Sequence, residues 1–312
     1  MKKLSNKILL IGLVVLVAIF AASRFFRSPG LESNLRKELL RLDTAAISEI
    51  RVTPAKERAE ELKLIREGNS WRIRKGDRAE ATNHTTLKAM LGSLVNLQAQ
   101  RMASRKKDRW QDYQVGENST HVSVYQGGSK VADFHVGKLG FIQSNGGGFG
   151  GAYTYVRLSD EDEVYTVEGF LESSFNNSFN DFRDKTFLKL DKKEITKISF
   201  RYPADSSFVV EKRDSTWFVA NEKTDPAKVE SLLNQFNSKY LTEFVEGFVV
   251  SSPADVTIQV EGKTGTLATV EGWKRDAQEW TLTSSNQKGV YFSSKGSTVV
   301  ADVFKGKKKL LQ

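Results

Sequence analysis

The chain has 312 residues, 39% of them hydrophobic and 10% aromatic, which suits two domains of ordinary size and excludes wholesale disorder. Its formal charge is +9, but Lys2, Lys3, Lys7, Arg24 and Arg27 at one end and Lys305, Lys307, Lys308 and Lys309 at the other account for all of it. Residues 28–304 are neutral overall, so no nucleic-acid partner is expected, and the absence of cysteine excludes disulfides, thiolate metal sites and a cysteine nucleophile.

Residues 1–27 form a cytoplasmic tip and membrane anchor. Ile8 to Ala22 is an unbroken apolar or small run, extended by Ser23–Phe26 to about the thickness of a bilayer core. The lysines before it keep the N-terminus cytoplasmic by the positive-inside rule, with membrane lipid around the anchor and the body outside. This predicts a single-pass protein of a bacterial inner membrane with a periplasmic body. The competing reading, a cleaved signal peptide, has only Ala21-Ala22-Ser23 as a site, followed at once by Arg24. Within residues 28–44, a leading helix is expected over about Leu31 to Leu42.

The body repeats itself. Ile47-Ser48-Glu49-Ile50-Arg51-Val52 and Ile195-Thr196-Lys197-Ile198-Ser199-Phe200 both alternate in the strand period. A second strand follows each, through Leu62 and Leu64 or Phe208 and Val210, then a polar turn and a strand opened by Trp71 or Trp217. A helix comes next. Thr82 or Asn83 caps the first and Thr224 or Asp225 the second, where Pro226 suits the first helical position. Leu87, Met90, Leu91 and Leu94 form one apolar stripe, and Val229, Leu232, Leu233 and Phe236 the other. Strands return at His121–Tyr125 and Asp255–Val260, and each copy closes on a strand pair: Tyr155–Leu158 with Val164–Val167, and Trp280–Leu282 with Val290–Phe292. The expected fold is α+β: two similar repeats, 45–171 and 191–304, each a mainly antiparallel sheet covered by one helix. A connecting segment, 172–190, lies between them, and a basic tail, 305–312, follows.

Candidate chemistry is sparse. The run Gly146–Gly151 satisfies G-x-G-x-x-G, but strand-like residues follow where a dinucleotide loop needs a helix. It reads as a mobile loop between strands. Gly147, Phe149, Gly150 and Tyr153, with Trp110 and Trp273, are the residues expected to meet a partner or ligand. Gly262-Lys263-Thr264 lacks the glycine and helix of a phosphate loop. His84 reads as a surface residue. His121 and His135 face each other if the turn between their strands spans Gly127–Ser129, and do not with a two-residue turn. Asp160–Glu163 reads as a solvated turn and Arg105–Arg109 as a solvated linker. With three histidines, no serine elbow and no metal motif, no catalytic, metal or cofactor residues are assigned, and no enzyme activity is expected.

The sequence Val164-Tyr165-Thr166-Val167, then Asp181-Phe182-Arg183-Asp184-Lys185-Thr186, Leu188-Lys189-Leu190 and Ile195–Ile198 resembles the core of the domain of unknown function 4340. Val210–Lys212, Trp217 and the helix from Asp225 to Leu233 continue the resemblance, which covers residues 45–304. It implies one N-terminal anchor, and a place beside an ABC permease of the gliding-associated type and its auxiliary extracytoplasmic subunit. It supplies no catalytic residues. Phe182, Arg183, Asp184 and Lys185 are expected to organise the junction between the copies. The leading functional expectation is a non-catalytic accessory or scaffold subunit. The rivals are an envelope ligand-binding module for a glycan, lipid or peptide, and a hydrolase using Asp160, Glu161, Asp181 or Asp184.

Overall fold

The computed structural model describes residues 15–16, 36–56, 60–144 and 146–311. Apart from residues 15–16, the expected anchor lies outside them, and no helix among the described residues is long and apolar enough to cross a membrane. Mainly antiparallel sheets with a few helices make an α+β architecture, and the chain divides into two compact units, up to Arg183 and from Asp184.

The first unit's sheet contains β1 (Glu38–Leu40), β2 (Ile47–Thr53), β3 (Leu62–Glu67), β4 (Ser70–Lys75), β5 (Arg78–Ala81), β6 (Leu97–Ser104), β7 (Thr120–Gln126), β8 (Ser129–Gln143), β9 (Phe149–Leu158) and β10 (Val164–Glu168). They lie in the order β5-β4-β3-β2-β7-β8-β9-β10-β6-β1. The main helix, α1 (His84–Val95), starts at Asn83, whose side chain accepts from the backbone N–H groups of Thr85 and Thr86, each at 3.0 Å. Those bonds satisfy two donors that the first helical turn leaves open. Leu87, Met90 and Leu94 are buried from α1, and Leu91 packs at the edge of the same core. Three short helices follow: α2 (Trp110–Tyr113), α3 (Leu171–Phe175) and α4 (Phe179–Phe182).

The second unit holds β11 (Thr186–Lys189), β12 (Ile195–Arg201), β13 (Phe208–Arg213), β14 (Thr216–Val219), β15 (Glu222–Lys223), helix α5 (Pro226–Asn237), β16 (Ser238–Tyr240), β17 (Val256–Gly262), β18 (Gly265–Lys274), β19 (Trp280–Ser284) and β20 (Phe292–Ser293). Its main sheet runs β15-β14-β13-β12-β17-β18-β19-β20, while β11 and β16 pair separately. Asp225 caps α5 by accepting from Ala227 N–H at 2.9 Å, with Pro226 in the first turn. All four residues of the expected α5 stripe are buried.

Two ladders share their register irregularities, while the β8–β9 ladder is interrupted between Val136 and Leu139 and the β18–β19 ladder is not. In the first unit Val122 faces Phe134 and Val124 faces Ala132; a bulge follows, and Tyr125 then faces Lys130. In the second unit Ile258 faces Val270 and Val260 faces Ala268, and Glu261 faces Thr266 after a bulge at the same step. The pairing with the preceding sheet neighbour is also interrupted alike, between Ile47 and Glu49 and between Ile195 and Lys197.

Of the flanking segments, one departs from expectation and two gain detail. The leading helix does not form over its described part: Glu38–Leu40 is an edge strand on β6, with Leu39 buried and Ala99 N–H donating to Lys37 O at 2.7 Å. An open edge with unpaired backbone groups outweighs the helical leucine spacing. Residues 172–190 contain the boundary between the units and pack as well as connect: Phe175, Phe179 and Phe182 fill the first core while Phe187 and Leu188 fill the second. Within the basic tail, Lys307–Leu311 is a helix, α7, preceded by the short α6 (Val299–Val303); Leu310 is buried and its carbonyl accepts from Thr224 Oγ1.

Candidate functional site

The β8–β9 hairpin overruns its sheet. On one side β7 ends with Thr120 facing Val136, and on the other β10 ends with Glu168 facing Tyr153. Beyond those pairs Phe141–Ala152, Ile142–Gly151 and Gln143–Phe149 continue as a two-stranded ribbon. Phe141 is 61% exposed, Phe149 69% and Ile142 43%, and the two phenylalanine rings meet edge to face at 6.1 Å. Phe170 is also half exposed, and it follows Gly169, whose N–H donates to Ala152 O at 2.9 Å. Phe141 and Phe149 thus form an apolar patch on one face of the ribbon, and Ile142 lies on the other.

The glycines shape this ribbon. Gly147 takes φ +81° in the turn, a region other residues enter only with strain, and a Cβ on Gly150 would sit 3.0 Å from Ile142 O and Ser144 N. Tyr153 lies across Gly140, where a Cβ would come within 2.3 Å of its ring. Thus Phe149 presents a free surface, Gly147 and Gly150 set the turn, and Tyr153 covers backbone. Sequence reasoning picked out the glycine run but missed Phe141, Ile142 and Phe170. The available signal was charge: no charged residue falls between Lys138 and Arg157.

The two tryptophans expected as contacts are occupied elsewhere. Trp110 is half-buried, donates to Asp162 O at 3.0 Å and lids the guanidinium of Arg157 at 3.8 Å. Arg157 is itself buried and donates to the carbonyls of Val115, Leu158, Ser159 and Glu161. Burial lowers its pKa from the ordinary arginine value. Trp273 is buried rather than exposed; it packs on Phe248 and Tyr291 and donates to Ser252 O. Of the tetrapeptide expected at the junction, Phe182 and Arg183 belong to the first unit and Asp184 and Lys185 to the second. Phe182 is fully buried and its carbonyl accepts from Asn83 N–H, while Arg183 ion-pairs with Glu80 at 3.3 Å. Asp184 accepts from Thr186 N–H, and Lys185 O accepts from Leu241 N–H.

His121 and His135 do face each other, stacked at 4.8 Å, although the turn is only Gly127-Gly128. The bulge at Val131 supplies the one-residue offset that a three-residue turn would have given. Around them lie the side-chain types of a hydrolytic triad, so their wiring matters. Ser119 Oγ donates its one proton to Gly116 O at 2.5 Å, which makes it an acceptor toward His135 Nδ1 at 2.9 Å. His135 Nδ1 therefore carries the hydrogen and presents no lone pair to the hydroxyl. Asp133 bonds the other histidine, His121, at 2.5 Å, and also accepts from Ser159 Oγ at 2.8 Å and from Lys130 Nζ. A nucleophile must hand its proton to a base oriented by the acid, and here those directions are reversed and split between two rings. Burial, then the nearby Arg157 charge, lowers the His135 pKa to about 4. Burial pushes Asp133 upward, but the bonds from Lys130, His121 and Ser159 overcome it and hold the carboxyl at about 2. The cluster is a fixed network that keeps His135 neutral and Asp133 ionised. Among the described residues no group of three or more acidic or imidazole side chains is placed to hold a metal ion.

Of the expected acidic candidates, Glu161 pairs with Arg36 at 2.6 Å and accepts from Tyr165 Oη, and Asp181 closes the capping box of α4 with Ser178. The family model of a domain of unknown function (DUF4340) matches residues 71–257. No curated protein and no solved structure matches the chain. The matched stretch runs from Trp71 in β4 to Thr257 in β17, includes Phe182–Lys185, and takes in more than half of the sequence; the chain belongs to the DUF4340 family.

Proposed function

We propose that this protein is a non-catalytic accessory subunit of a membrane complex, held in a bacterial inner membrane by Ile8–Ala22, with its body periplasmic and its β8–β9 ribbon docked on a protein partner. By the family resemblance, the partner is an ABC-type permease or its auxiliary extracytoplasmic subunit. The observation that carries this reading is the exposed, uncharged ribbon bearing Phe141, Ile142 and Phe149. Exposed apolar patches of this kind mark interaction surfaces, because leaving them in water has no folding benefit. Arg36 pairs with Glu161 in the turn after β9, at the opposite end of that strand from the tip. We also infer that the two units arose by duplication, since strand order and both register shifts agree from β5 to β10 and from β15 to β20.

Affinity capture of the full chain from native membranes tests the docking. Wild type is expected to bring down a permease with its auxiliary subunit, and a Phe141→Ser/Phe149→Ser double variant to lose them at least about tenfold, the effect of removing two anchors from a small interface. Equal recovery by both proteins, or no specific partner with wild type, overturns the proposal. Release of the chain by alkaline carbonate washing would remove the anchor from it.

A further inference from the structure

A second surface of the first unit is built for a ligand of different chemistry. A cavity of about 370 Å³ opens between the loop from α2 to β7, the β8 residues Val136 and Gly137, and helix α3. Its floor is fixed: Ser119 is tied to Gly116 O and His135, and Thr120 Oγ1 accepts from Ala55 N–H at 3.1 Å. Asn176 accepts from Lys56 N–H and donates to Glu172 Oε1 at 2.7 Å. Ser119, Thr120 and Asn176 are all buried, so these bonds hold polar groups in place where rearrangement is costly. The loop sits directly on the strand. A Cβ on Gly137 would be 2.3 Å from Tyr113 O, and Gln114 closes α2 in the left-handed conformation at φ 56°.

Above that floor the side-chain amides of Gln111, Gln114 and Asn118 are exposed and make no hydrogen bond among the described residues. Each offers donors and an acceptor at once, as a sugar hydroxyl does. No lysine or arginine lines the space, which disfavours phosphate and carboxylate ligands, and no aromatic ring is present to stack a base. Its one carboxylate, Glu172, has an oxygen already engaged by Asn176, and Ala55 and Val136 supply a small apolar surface. The volume is at the lower end of the range for small-molecule sites, of about 300–1,000 Å³.

We infer that this cavity binds a neutral sugar unit through the amides of Gln111, Gln114 and Asn118. The site is independent of the ribbon and does not rest on the accessory-subunit reading. Saturation-transfer difference NMR of the full chain in a sugar-free detergent tests it, with chitobiose and maltose as probes and inorganic phosphate and triglycine as controls. Transfer to at least one sugar and not to the controls is expected. The Gln114→Ala/Asn118→Ala variant, whose side chains are exposed, should keep its melting temperature and bind that sugar at least about tenfold more weakly, the scale of one or two lost hydrogen bonds. Glu172→Gln should retain binding within about threefold, because a neutral ligand does not need the charge. No sugar signal, stronger transfer to phosphate or triglycine, or unchanged affinity in the double variant overturns the inference.

Discussion

Hairpins at the same place in the strand order of the two units differ in length and charge. In the second, β18 and β19 run 10 and 5 residues, and the turn between them is short and charged, with Asp276 accepting from the N–H groups of Gln278 and Glu279. In the first, β8 and β9 run 15 and 10 residues and end in an uncharged ribbon with exposed phenylalanines. A sheet of this plan folds with the short version, so the extension of the first contributes something other than stability. The same comparison isolates the histidines: the pair in the register of His121 and His135 is Thr257 and Glu271 in the second unit.

The largest effects should come from breaking one core and leaving the other intact. Phe134 and Phe236 are both fully buried, one in each core, and truncating either to Ala should remove about 3–5 kcal/mol from its own unit. Amide hydrogen exchange, resolved by unit, checks this; equal loss of protection in both would show that they unfold as one. Next, Arg183→Ala removes a buried guanidinium that bonds Asn180 and pairs with Glu80, which keeps Arg78 as a partner, and should cost the first unit about 2 kcal/mol, whereas Lys185→Ala, with a half-buried side chain, should cost under about 1 kcal/mol. Denaturant titration of the two variants distinguishes them.

Acid should separate the units more gently. His135 has its pKa lowered from 6.5 to about 4, so between those values the unfolded chain binds a proton that the folded chain refuses. Stability of the first unit should therefore fall as pH drops from 6.5 to 4, by no more than about 2 kcal/mol after allowing for partial solvent screening, and then level for this group. A further loss should follow between pH 3.8 and 2 as the ionised Asp133 is neutralised in the unfolded chain and then in the folded one. Melting temperatures of wild type and His135→Gln should differ in their slope against pH in the upper window and run parallel above pH 7. Last, Phe141→Ser/Phe149→Ser should change stability by less than about 0.5 kcal/mol while abolishing partner capture, as expected for side chains that touch mainly water.

Much of the fold was legible because local patterns and tertiary packing agree. The stripes Leu87–Leu94 and Val229–Phe236 sit at helical spacing, and Asn83 and Asp225 offer the capping oxygens those helices use. The leucines of residues 31–42 misled because an unpaired edge of β6 competes for the same residues, and nothing local announces it. The His121–His135 pairing turned on a bulge that a two-residue turn conceals. Trp273 stands among polar neighbours in sequence, and only residues some twenty positions away, Phe248 and Tyr291, bury it. For the ribbon, Gly146–Gly151 announces a turn, but the exposure of Phe141 depends on where β7 and β10 stop, which is a property of the sheet.

The bulge opposite Tyr125 also bears on which length changes this hairpin tolerates. Val131 is the one residue there without a cross-strand mate, and Leu267 holds that place in the second unit. Deleting Val131 would turn the kinked arm into a regular ladder without exchanging inside for outside beyond it. Losing Ala132 would let Val131 take its place opposite Val124 with the same result, whereas losing Phe134 would bring Asp133 opposite Val122 and put a carboxylate where the core has an aromatic ring. A one-residue deletion in this part of the sheet should therefore be tolerated at Val131 or Ala132 and not at Phe134.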